Sequence, residues 1–211
     1  MSNNLPLVQK YRPQVLFELY SQDTIIKIIT SSIENNNLAN VYLFTGKAGI
    51  GKTSAARIIS KIINCSHKTK KESIITSCEK CSNCLSKVHP DIMEIDAASH
   101  TTVDEMRNII ANTQYQPILG QYKIYIIDEA HMLSKSAFNA ALKTFEEPSS
   151  NVIFILITTE SHRIPVTIIS RSQRLHFQSL SEKNTIELLK KICINENIKH
   201  TTEALTLISQ H

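Results

Sequence analysis

Residues 46–53 hold three of the chain's four glycines and read Gly-Lys-Ala-Gly-Ile-Gly-Lys-Thr. They match the P-loop pattern G-x-x-x-x-G-K-[ST], in which glycines let backbone N–H groups turn inward around a phosphate. In that pattern Lys52 reaches the β- and γ-phosphates, and the Thr53 hydroxyl is a ligand of Mg²⁺. The sequence therefore predicts a nucleotide-binding loop made of Gly46, Lys47, Ala48, Gly49, Ile50, Gly51, Lys52 and Thr53.

A pair of carboxylates, Asp128 and Glu129, follows the apolar run 124–127. A strand that ends in such a pair places Asp128 near the metal ion, where Glu129 can orient the attacking water. Combined with the P-loop, the pair predicts nucleotide hydrolysis. Residues 128–131 also spell the DEAH box of a helicase family. A helicase needs two motor domains, however, and 211 residues cannot hold both.

Two threonines, Thr158 and Thr159, end the next apolar run. In a parallel sheet, a hydroxyl at that place lies at the carboxyl edge of the strands, beside the γ-phosphate. Threonine is also common in strands because of its β-propensity. Both interpretations stay open on spacing alone.

Four cysteines, Cys65, Cys78, Cys81 and Cys84, form the pattern C-x₁₂-C-x₂-C-x₂-C. Each Cys-x₂-Cys turn lets two thiolates reach one tetrahedral ion, so the set predicts a structural Zn²⁺ site. The polar segment 66–77 has little apolar content of its own, and a metal would supply the missing stabilisation. An iron–sulfur cluster and buried or redox-active thiols remain alternatives. His89 is a candidate substitute ligand or a surface histidine.

The order of apolar runs indicates the elements that hold these side chains. Strand-like runs occupy Val41–Thr45, Ile92–Asp96, 124–127, Val152–Thr158 and 174–177, and helical patterns lie near 52–63, 102–112, 134–147 and 165–171. The alternation predicts an α/β fold, a parallel sheet with helices on both sides. Ser134 is expected to cap the clearest helix, and residues 180–211 read as the start of a separate helical domain.

Composition narrows the class of protein. The 211 residues carry a net charge of +4, which is compatible with a nucleic-acid partner without indicating one. No apolar stretch approaches the length of a membrane span, and the N-terminus lacks a secretory signal pattern. We therefore expect a cytoplasmic protein that makes no membrane contact.

Several longer segments resemble one family, the gamma/tau subunits of the bacterial DNA polymerase III clamp loader. The resemblance runs from about Leu7 to the end of the chain. It is carried by residues 10–13 (Lys-Tyr-Arg-Pro) with Phe17 and Gln22, 94–99 (Glu-Ile-Asp-Ala-Ala-Ser), 128–133 (Asp-Glu-Ala-His-Met-Leu), 138–148 (Phe-Asn-Ala-Ala-Leu-Lys-Thr-Phe-Glu-Glu-Pro) and 164–171 (Ile-Pro-Val-Thr-Ile-Ile-Ser-Arg).

The resemblance implies an AAA+ ATPase that opens a ring-shaped sliding clamp and closes it around primer–template DNA. Its cofactors would be ATP, Mg²⁺ and Zn²⁺. Its partners would be the delta and delta-prime subunits and further gamma/tau copies. By the same resemblance Thr158 senses the γ-phosphate, and Arg171 is an arginine finger for a neighbouring subunit's ATP. Tyr11, Arg12 and Pro13 would lie near the adenine.

The implied architecture is a P-loop AAA+ domain at residues 1–178 with a central parallel five-stranded sheet flanked by helices. A zinc module at about 64–90 is inserted in it, and a helical lid begins at 179–211. The sequence departs from the family at Ser21, where glycine is usual, and at Ser172, where cysteine is usual. The family's second basic sensor and its collar domain would lie beyond His211.

The sequence leaves two alternative functions. A non-hydrolysing clamp-loader scaffold, similar to the delta-prime subunit, also carries the zinc module. Lys52, Thr53, Asp128 and Glu129 favour the motor, because a scaffold does not need hydrolytic chemistry. A zinc-dependent DNA-binding module is disfavoured, because the cysteine segment has no evident base-reading helix.

Overall fold

The computed structural model describes residues 6–86, 88–99 and 103–210. Its strands are β1 (Val41–Thr45), β2 (Thr69–Lys71), β3 (Ile74–Thr76), β4 (Ile92–Asp96), β5 (Lys123–Asp128), β6 (Val152–Thr158) and β7 (Gln173–His176). Five of them form a parallel sheet in the order β4-β5-β6-β1-β7. The five predicted strands all lie in this sheet, with ends shifted by one residue at β5 and β7.

The helices lie before, between and after these strands in the chain. They are α1 (Leu7–Lys10), α2 (Asp23–Glu34), α3 (Lys52–Asn64), α4 (Ser82–Leu85), α5 (Val103–Asn112), α6 (Lys135–Glu146), α7 (Val166–Ile169), α8 (Glu182–Asn195) and α9 (Thr202–Ser209). Of the predicted helix 102–112, residue 102 lies outside the described residues. The predicted helix 165–171 is the single turn α7 followed by an irregular segment. The sequence analysis did not identify α2. Among the described residues, no helix has both the length and the apolar character needed to cross a membrane.

The sheet is buried on both faces. Alternate side chains of a strand point to opposite faces, so Tyr42 and Phe44 pack with α2 and α3 while Val41 and Leu43 pack with α5 and α6. All seven residues of β6 are buried. A central parallel strand covered by helices on both sides needs such a continuous apolar run.

Helix α6 begins as its sequence predicts. Ser134 has extended backbone angles, and its Oγ accepts a hydrogen bond from the Ala137 N–H at 3.1 Å. Phe138, Ala141 and Phe145 are buried on one face of the helix. This face packs on the sheet, so the helix holds β5 and β6 against each other from one side.

The segment between the first two cysteines of the cluster is more ordered than its polar composition suggested. Strands β2 and β3 pair as an antiparallel hairpin there, and Ile75 is buried in the core that contains α2. The hairpin therefore does not depend wholly on a metal ion for its packing.

The junction before α8 is held by side chains from the start of α2. Gln22 donates from Nε2 to the Gln178 carbonyl at 2.7 Å, and the Gln178 N–H donates to Gln22 Oε1 at 3.1 Å. Ser21 has φ +60°, the left-handed conformation that explains why glycine suits this position. Its hydroxyl accepts a hydrogen bond from Asn184 Nδ2 at 2.7 Å. The boundary of the helical domain at 179 remains a prediction.

Candidate active site and metal centre

The P-loop connects the carboxyl end of β1 to the start of α3. Gly46 has φ +140°, and a Cβ there would lie 2.6 Å from Ile50 Cδ1 and 2.7 Å from the Phe177 carbonyl oxygen. Gly51 comes directly before α3 and has φ +95°, so its backbone is in the left-handed region. Glycine is therefore required at Gly46 because a Cβ has no space there, and at Gly51 because of its backbone angle. The amides of α3's first turn are free to bind an anion.

Lys52 is folded over its own loop. Its Nζ donates to the carbonyl oxygens of Gly46 at 2.8 Å and Lys47 at 2.6 Å, and the residue is only 6% exposed. Burial lowers the pKa of Lys52, while the charges of Glu129 and Asp128 oppose that shift. The ammonium group thus lies among the groups predicted to bind phosphate.

Thr53 and Asp128 meet although they are 75 residues apart in the chain. The Thr53 hydroxyl donates to Asp128 Oδ2 at 2.6 Å, and the Glu129 N–H donates to Asp128 Oδ1 at 2.9 Å. Hydroxyl and carboxylate oxygens are ligands that Mg²⁺ prefers, and Mg²⁺ commonly takes few protein ligands and keeps several waters. The donor set therefore fits the predicted ion.

Glu129 lies in an uncommon backbone conformation directly after β5. Its angles are φ +47° and ψ +44°, the left-handed region that non-glycine residues seldom adopt. Its Oε2 accepts a hydrogen bond from the Thr159 hydroxyl at 3.3 Å. Such local strain is often found where a side chain must be aimed at a reaction.

Thr158 is fully buried at the end of β6. The register pairs Thr158 with Thr45, the last residue of β1 before the P-loop. Its Oγ1 accepts from the Glu160 N–H at 3.0 Å and lies 3.1 Å from His131 Nδ1. The side chain therefore stands at the edge of the sheet where the loop begins.

Arg171 is exposed and follows α7. Its Nη1 donates to the Thr167 carbonyl at 2.9 Å, and its Nη2 lies 2.8 Å from Glu146 Oε1. These contacts hold the guanidinium group against α6 and α7 of the same chain. Its role toward a second subunit remains a prediction.

The N-terminal segment passes beside the P-loop. A Cβ at Gly51 would lie 3.8 Å from Leu19 Cδ2. The Tyr11 hydroxyl donates to Glu196 Oε1 at 2.6 Å, and Lys10 pairs with the same oxygen. Tyr11 thus joins the N-terminal segment to the end of α8. Arg12 is exposed and Pro13 half-buried. Their predicted adenine contacts stay predictions.

The four predicted cysteine ligands lie together. The sulfurs of Cys65, Cys78, Cys81 and Cys84 are all within 4.8 Å of one another, and none is in a disulfide. A tetrahedral Zn²⁺ with Zn–S bonds of about 2.3 Å holds its sulfurs about 3.8 Å apart. The cluster therefore fits a closed Zn²⁺ site after a small contraction.

Backbone amides point at these sulfurs. The Cys78 N–H donates to Cys65 Sγ at 3.2 Å, and the Cys81 N–H donates to Cys78 Sγ at 3.3 Å. Burial raises the pKa of the Cys84 thiol to about 12. Burial also raises the pKa of Cys81, but the N–H groups of Ser66 and Cys84 outweigh it and lower that pKa to about 6. The amides favour thiolates, the form that binds metal.

His89 is not the substitute ligand considered above, since the cluster consists of the four cysteines, and its half-buried ring is not a free surface histidine either. Its Nε2 lies 3.1 Å from Asn83 Oδ1, and its Nδ1 accepts the Asp91 N–H at 3.1 Å. Both ring nitrogens are therefore engaged in hydrogen bonds that join α4 to the start of β4.

A buried polar network links this cluster to the sheet, and the sequence analysis missed it. The Asp91 carboxylate accepts three consecutive N–H groups, those of residues 118–120, each at 2.7 Å. Burial raises the pKa of Asp91, but the three amides outweigh it and hold the pKa below its usual range. The Asn64 side-chain oxygen accepts hydrogen bonds from the N–H groups of Gln121 and Tyr122. The Asn64 backbone carbonyl accepts one from Asn83 Nδ2.

An ion pair between α3 and β4 was also not predicted from the sequence. Arg57 on α3 donates from Nε and Nη2 to the two carboxylate oxygens of Glu94 on β4, at 2.6 and 2.5 Å. A bidentate pair fixes both direction and distance, so it sets α3 against β4. No sequence motif signals it, because the pairing depends on strand order.

The chain is similar to subunits of bacterial DNA polymerase III. The family model described as "DNA polymerase III, delta subunit" matches residues 21–181. The tau/gamma subunit of Haemophilus influenzae is 40% identical over 207 residues, covering 97% of this chain and 30% of the relative. The tau subunit of Escherichia coli is 39% identical over 209 residues, covering 97% of this chain and 32% of the relative. The gamma subunit of Buchnera aphidicola subsp. Acyrthosiphon pisum is 39% identical over 205 residues, with 97% and 56% covered.

Solved structures share the fold. RuvB of Thermotoga maritima, a Holliday junction branch migration motor, has a TM-score of 0.65 at 19% identity, with 94% of this chain and 59% of that chain covered. A gamma subunit-related protein of Thermotoga maritima has a TM-score of 0.52 at 25% identity, with 81% of this chain and 49% of that chain covered. The likeness to RuvB concerns the fold alone. It agrees with the predicted fold, a parallel five-stranded sheet flanked by helices.

Proposed function

The chain belongs to the family of DNA polymerase III gamma/tau subunits, and on that premise we propose that it is an ATP-hydrolysing motor of the clamp loader. In this role it would open the sliding clamp and close it around primer–template DNA during replication. The chain spans 30% to 56% of the length of the three relatives compared above. The proposal therefore concerns the part of the motor that binds and hydrolyses ATP.

The contact between Thr53 and Asp128 carries this proposal. It joins the P-loop helix to the acidic end of β5 at 2.6 Å, which supports a site in which both segments act on one nucleotide. A subunit that served as a scaffold would need neither the hydroxyl nor the carboxylates in this arrangement. The 6% exposure of Lys52, in contact with its own loop, supports the same assignment.

The chain's own residues would divide the work of hydrolysis. The loop amides and Lys52 would bind the β- and γ-phosphates, with the triphosphate at the carboxyl edge of the sheet. Thr53 and Asp128 would hold Mg²⁺, which when bound neutralises charge on the phosphates. Glu129 would orient the attacking water, and the Thr158 hydroxyl would donate a hydrogen bond to the γ-phosphate.

Arg171 would act on a neighbour's nucleotide. It is exposed, and its partners here are Glu146 and the Thr167 carbonyl. In an assembly with the delta and delta-prime subunits and further gamma/tau copies, it would stabilise transition-state charge in the next site. Hydrolysis would then depend on assembly in the cytoplasm with the clamp and DNA present.

The four cysteines would hold a structural Zn²⁺. A site closed by four thiolates has no open position for a substrate, so its contribution is to folding. The hydrogen bonds of Asn83 and His89 connect α4 to Asn64 and Asp91. We infer that the ion stabilises this junction and takes no part in hydrolysis.

The proposal is tested by ATP turnover of the assembled complex with and without clamp and primed DNA. We expect turnover that rises when both are added, and its loss when Lys52→Ala removes the ammonium group from the loop. Lys27→Ala, an exposed lysine on α2, is the control and should leave turnover unchanged. Full activity of the Lys52 variant would refute the assignment of this site, and ATP binding without turnover in the unmodified complex would indicate a scaffold.

A further inference from the structure

One buried titratable residue beside the active site has no role in the scheme above. His131 lies in the short 3₁₀ turn Ala130–Met132 that follows Glu129, and its side chain is 7% exposed. Its Nδ1 is 3.1 Å from Thr158 Oγ1 and 3.4 Å from Glu129 Oε2. Its Nε2 is 3.3 Å from Glu160 Oε1. The ring therefore stands between the proposed γ-phosphate sensor and the proposed catalytic carboxylate.

The neighbours of the ring determine where its hydrogen lies. Each ring nitrogen faces a carboxylate oxygen, Nδ1 that of Glu129 at 3.4 Å and Nε2 that of Glu160 at 3.3 Å, and a carboxylate only accepts hydrogen bonds. A neutral ring has one hydrogen, and we assign it to Nε2, because Nδ1 has the Thr158 hydroxyl at 3.1 Å as an alternative donor. In the neutral ring Nδ1 is then an acceptor. The Thr158 oxygen already accepts the Glu160 N–H, and its own hydrogen is free to be donated to Nδ1. Every polar atom of the Thr158–His131–Glu160 chain is satisfied in this arrangement.

The Thr158 hydroxyl has a single hydrogen to donate. If it turns toward the γ-phosphate, as proposed above, His131 Nδ1 loses its donor. The bare lone pair of Nδ1 then faces the Oε2 of Glu129 at 3.4 Å. Two acceptors at that distance repel each other. The Glu129 side chain is 38% exposed and has room to move away from the buried ring.

We propose that His131 is a positioning residue that couples the hydroxyl of Thr158 to the carboxylate of Glu129. While Thr158 donates to the ring, Glu129 rests on the Thr159 hydroxyl, its partner at 3.3 Å. When Thr158 donates to a nucleoside triphosphate, the unsatisfied Nδ1 repels Glu129 away from Thr159 and toward the attacking water. This inference rests on the proposed ATPase function, because it assigns a role within that reaction.

The matched variants are His131→Asn, His131→Leu and His162→Leu. Asparagine can place an acceptor near the position of Nδ1, whereas leucine fills the buried space without any polar atom. His162 faces the same carboxylate, with its Nε2 3.7 Å from Glu160 Oε2, but its side chain is 77% exposed. It is therefore a control for the loss of a histidine near Glu160.

The experiment measures steady-state ATP turnover and ATP binding by the assembled complex for each variant. We expect His131→Leu to lower kcat by at least about tenfold with ATP affinity within about twofold, the pattern of a lost transition-state interaction. His131→Asn should regain most of the lost kcat, and His162→Leu should match the unmodified complex. A packing role predicts the reverse order, since leucine suits a buried site better than asparagine.

A double-mutant cycle with Thr158→Val gives a second readout. If His131 acts through Thr158, adding His131→Leu to Thr158→Val should cause little further loss of kcat, so the two effects are not additive. If the leucine variant does not fold, His131→Ala, which also removes Nδ1, takes its place in the cycle. Unchanged kcat in both His131 variants, or fully additive losses, would overturn the coupling. Absence of turnover in the unmodified complex would instead overturn the proposed function.

Discussion

Glu129 is the residue on which the proposed chemistry depends most directly. It follows a strand whose four central residues are buried, it has a left-handed backbone conformation, and its side chain accepts a hydrogen bond from Thr159. A carboxylate fixed in this way can be aimed at a water molecule without rearrangement of the strand. Its neighbour Asp128 is engaged with Thr53, so the two adjacent carboxylates have separate tasks.

Replacing this carboxylate with an amide separates binding from hydrolysis. We expect Glu129→Gln to lower ATP turnover of the assembled complex by about 100-fold or more, because the amide cannot act as a base toward water. ATP affinity should stay within about threefold, since the loop, Lys52 and the metal ligands are unchanged. Equilibrium binding and single-turnover hydrolysis measure the two quantities. Turnover close to that of the unmodified complex would place the base elsewhere.

The residues of the site that are adjacent in the chain could be predicted from the sequence. Residues 46–53 and the pair Asp128–Glu129 carry their chemistry in local patterns, and the structure places Thr53 and Asp128 in contact. His131 and Asp91 could not be found that way. Their partners are set by strand order and by a loop 27 to 29 residues away, which no local pattern encodes.

The polar network between the cysteine cluster and the sheet determines how those elements are joined. Asp91 precedes β4 and fixes the loop 118–120 that leads into β5. Asn64 ends α3 and binds the next two residues of the same loop. These two side chains therefore fix the entry into the strand that carries Asp128.

Neutralising Asp91 should lower stability in a pH-dependent way. Its pKa is depressed in the folded protein, so its contribution is full above the unfolded value of about 3.9 and is lost as pH falls through the folded pKa. We expect Asp91→Asn to lower the free energy of unfolding by about 2 kcal/mol at pH 7, since three amides lose a charged acceptor. The difference should shrink in strong acid.

Urea unfolding at several pH values measures this effect. Asp104→Asn is the control, because the Asp104 side chain is 84% exposed and pairs with Arg107 on the surface. Surface pairs of that kind contribute about 0 to 1 kcal/mol. An Asp91 variant as stable as the unmodified chain at pH 7 would show that the loop is held by other contacts.

The cysteine cluster should contain about one Zn²⁺ per chain, because four thiolates close a tetrahedral site. Cys81→Ser should lower the zinc content towards zero and reduce the melting temperature. Cys193→Ser is the control, since Cys193 lies outside the cluster. Elemental analysis and thermal unfolding measure both properties. Iron with visible absorbance, or an unaltered zinc content in Cys81→Ser, would contradict the assignment.

The strands were more predictable than the smaller elements. Buried parallel strands leave continuous apolar runs, and all five were placed within one residue of their ends. The hairpin of β2 and β3 was missed because its strands have three residues each and β2 is fully exposed. Its stability comes partly from Ile75 in the core, a contact that depends on α2 and not on local composition.

One residue of the proposed catalytic machinery, Arg171, lies on the surface of the chain. The loop, the acidic pair and Thr158 converge at one edge of the sheet, whereas Arg171 is exposed and bound to Glu146. The hydrogen bond from Tyr11 to Glu196 joins the N-terminal segment to the end of α8. Leu19, further along the same segment, lies next to Gly51 of the P-loop. A movement of α8 would therefore pull on the segment that lies beside the proposed nucleotide site.

The most direct test of this account compares Arg171→Ala with Lys52→Ala in the assembled complex. Arg171→Ala should keep ATP affinity within about twofold but lower turnover by about 10³-fold or more, because a neighbour's transition state loses a positive charge. Lys52→Ala should lose both binding and turnover. Arg163→Ala, an exposed arginine near Glu160, is the control. Normal turnover in the Arg171 variant would contradict a nucleotide site shared between subunits.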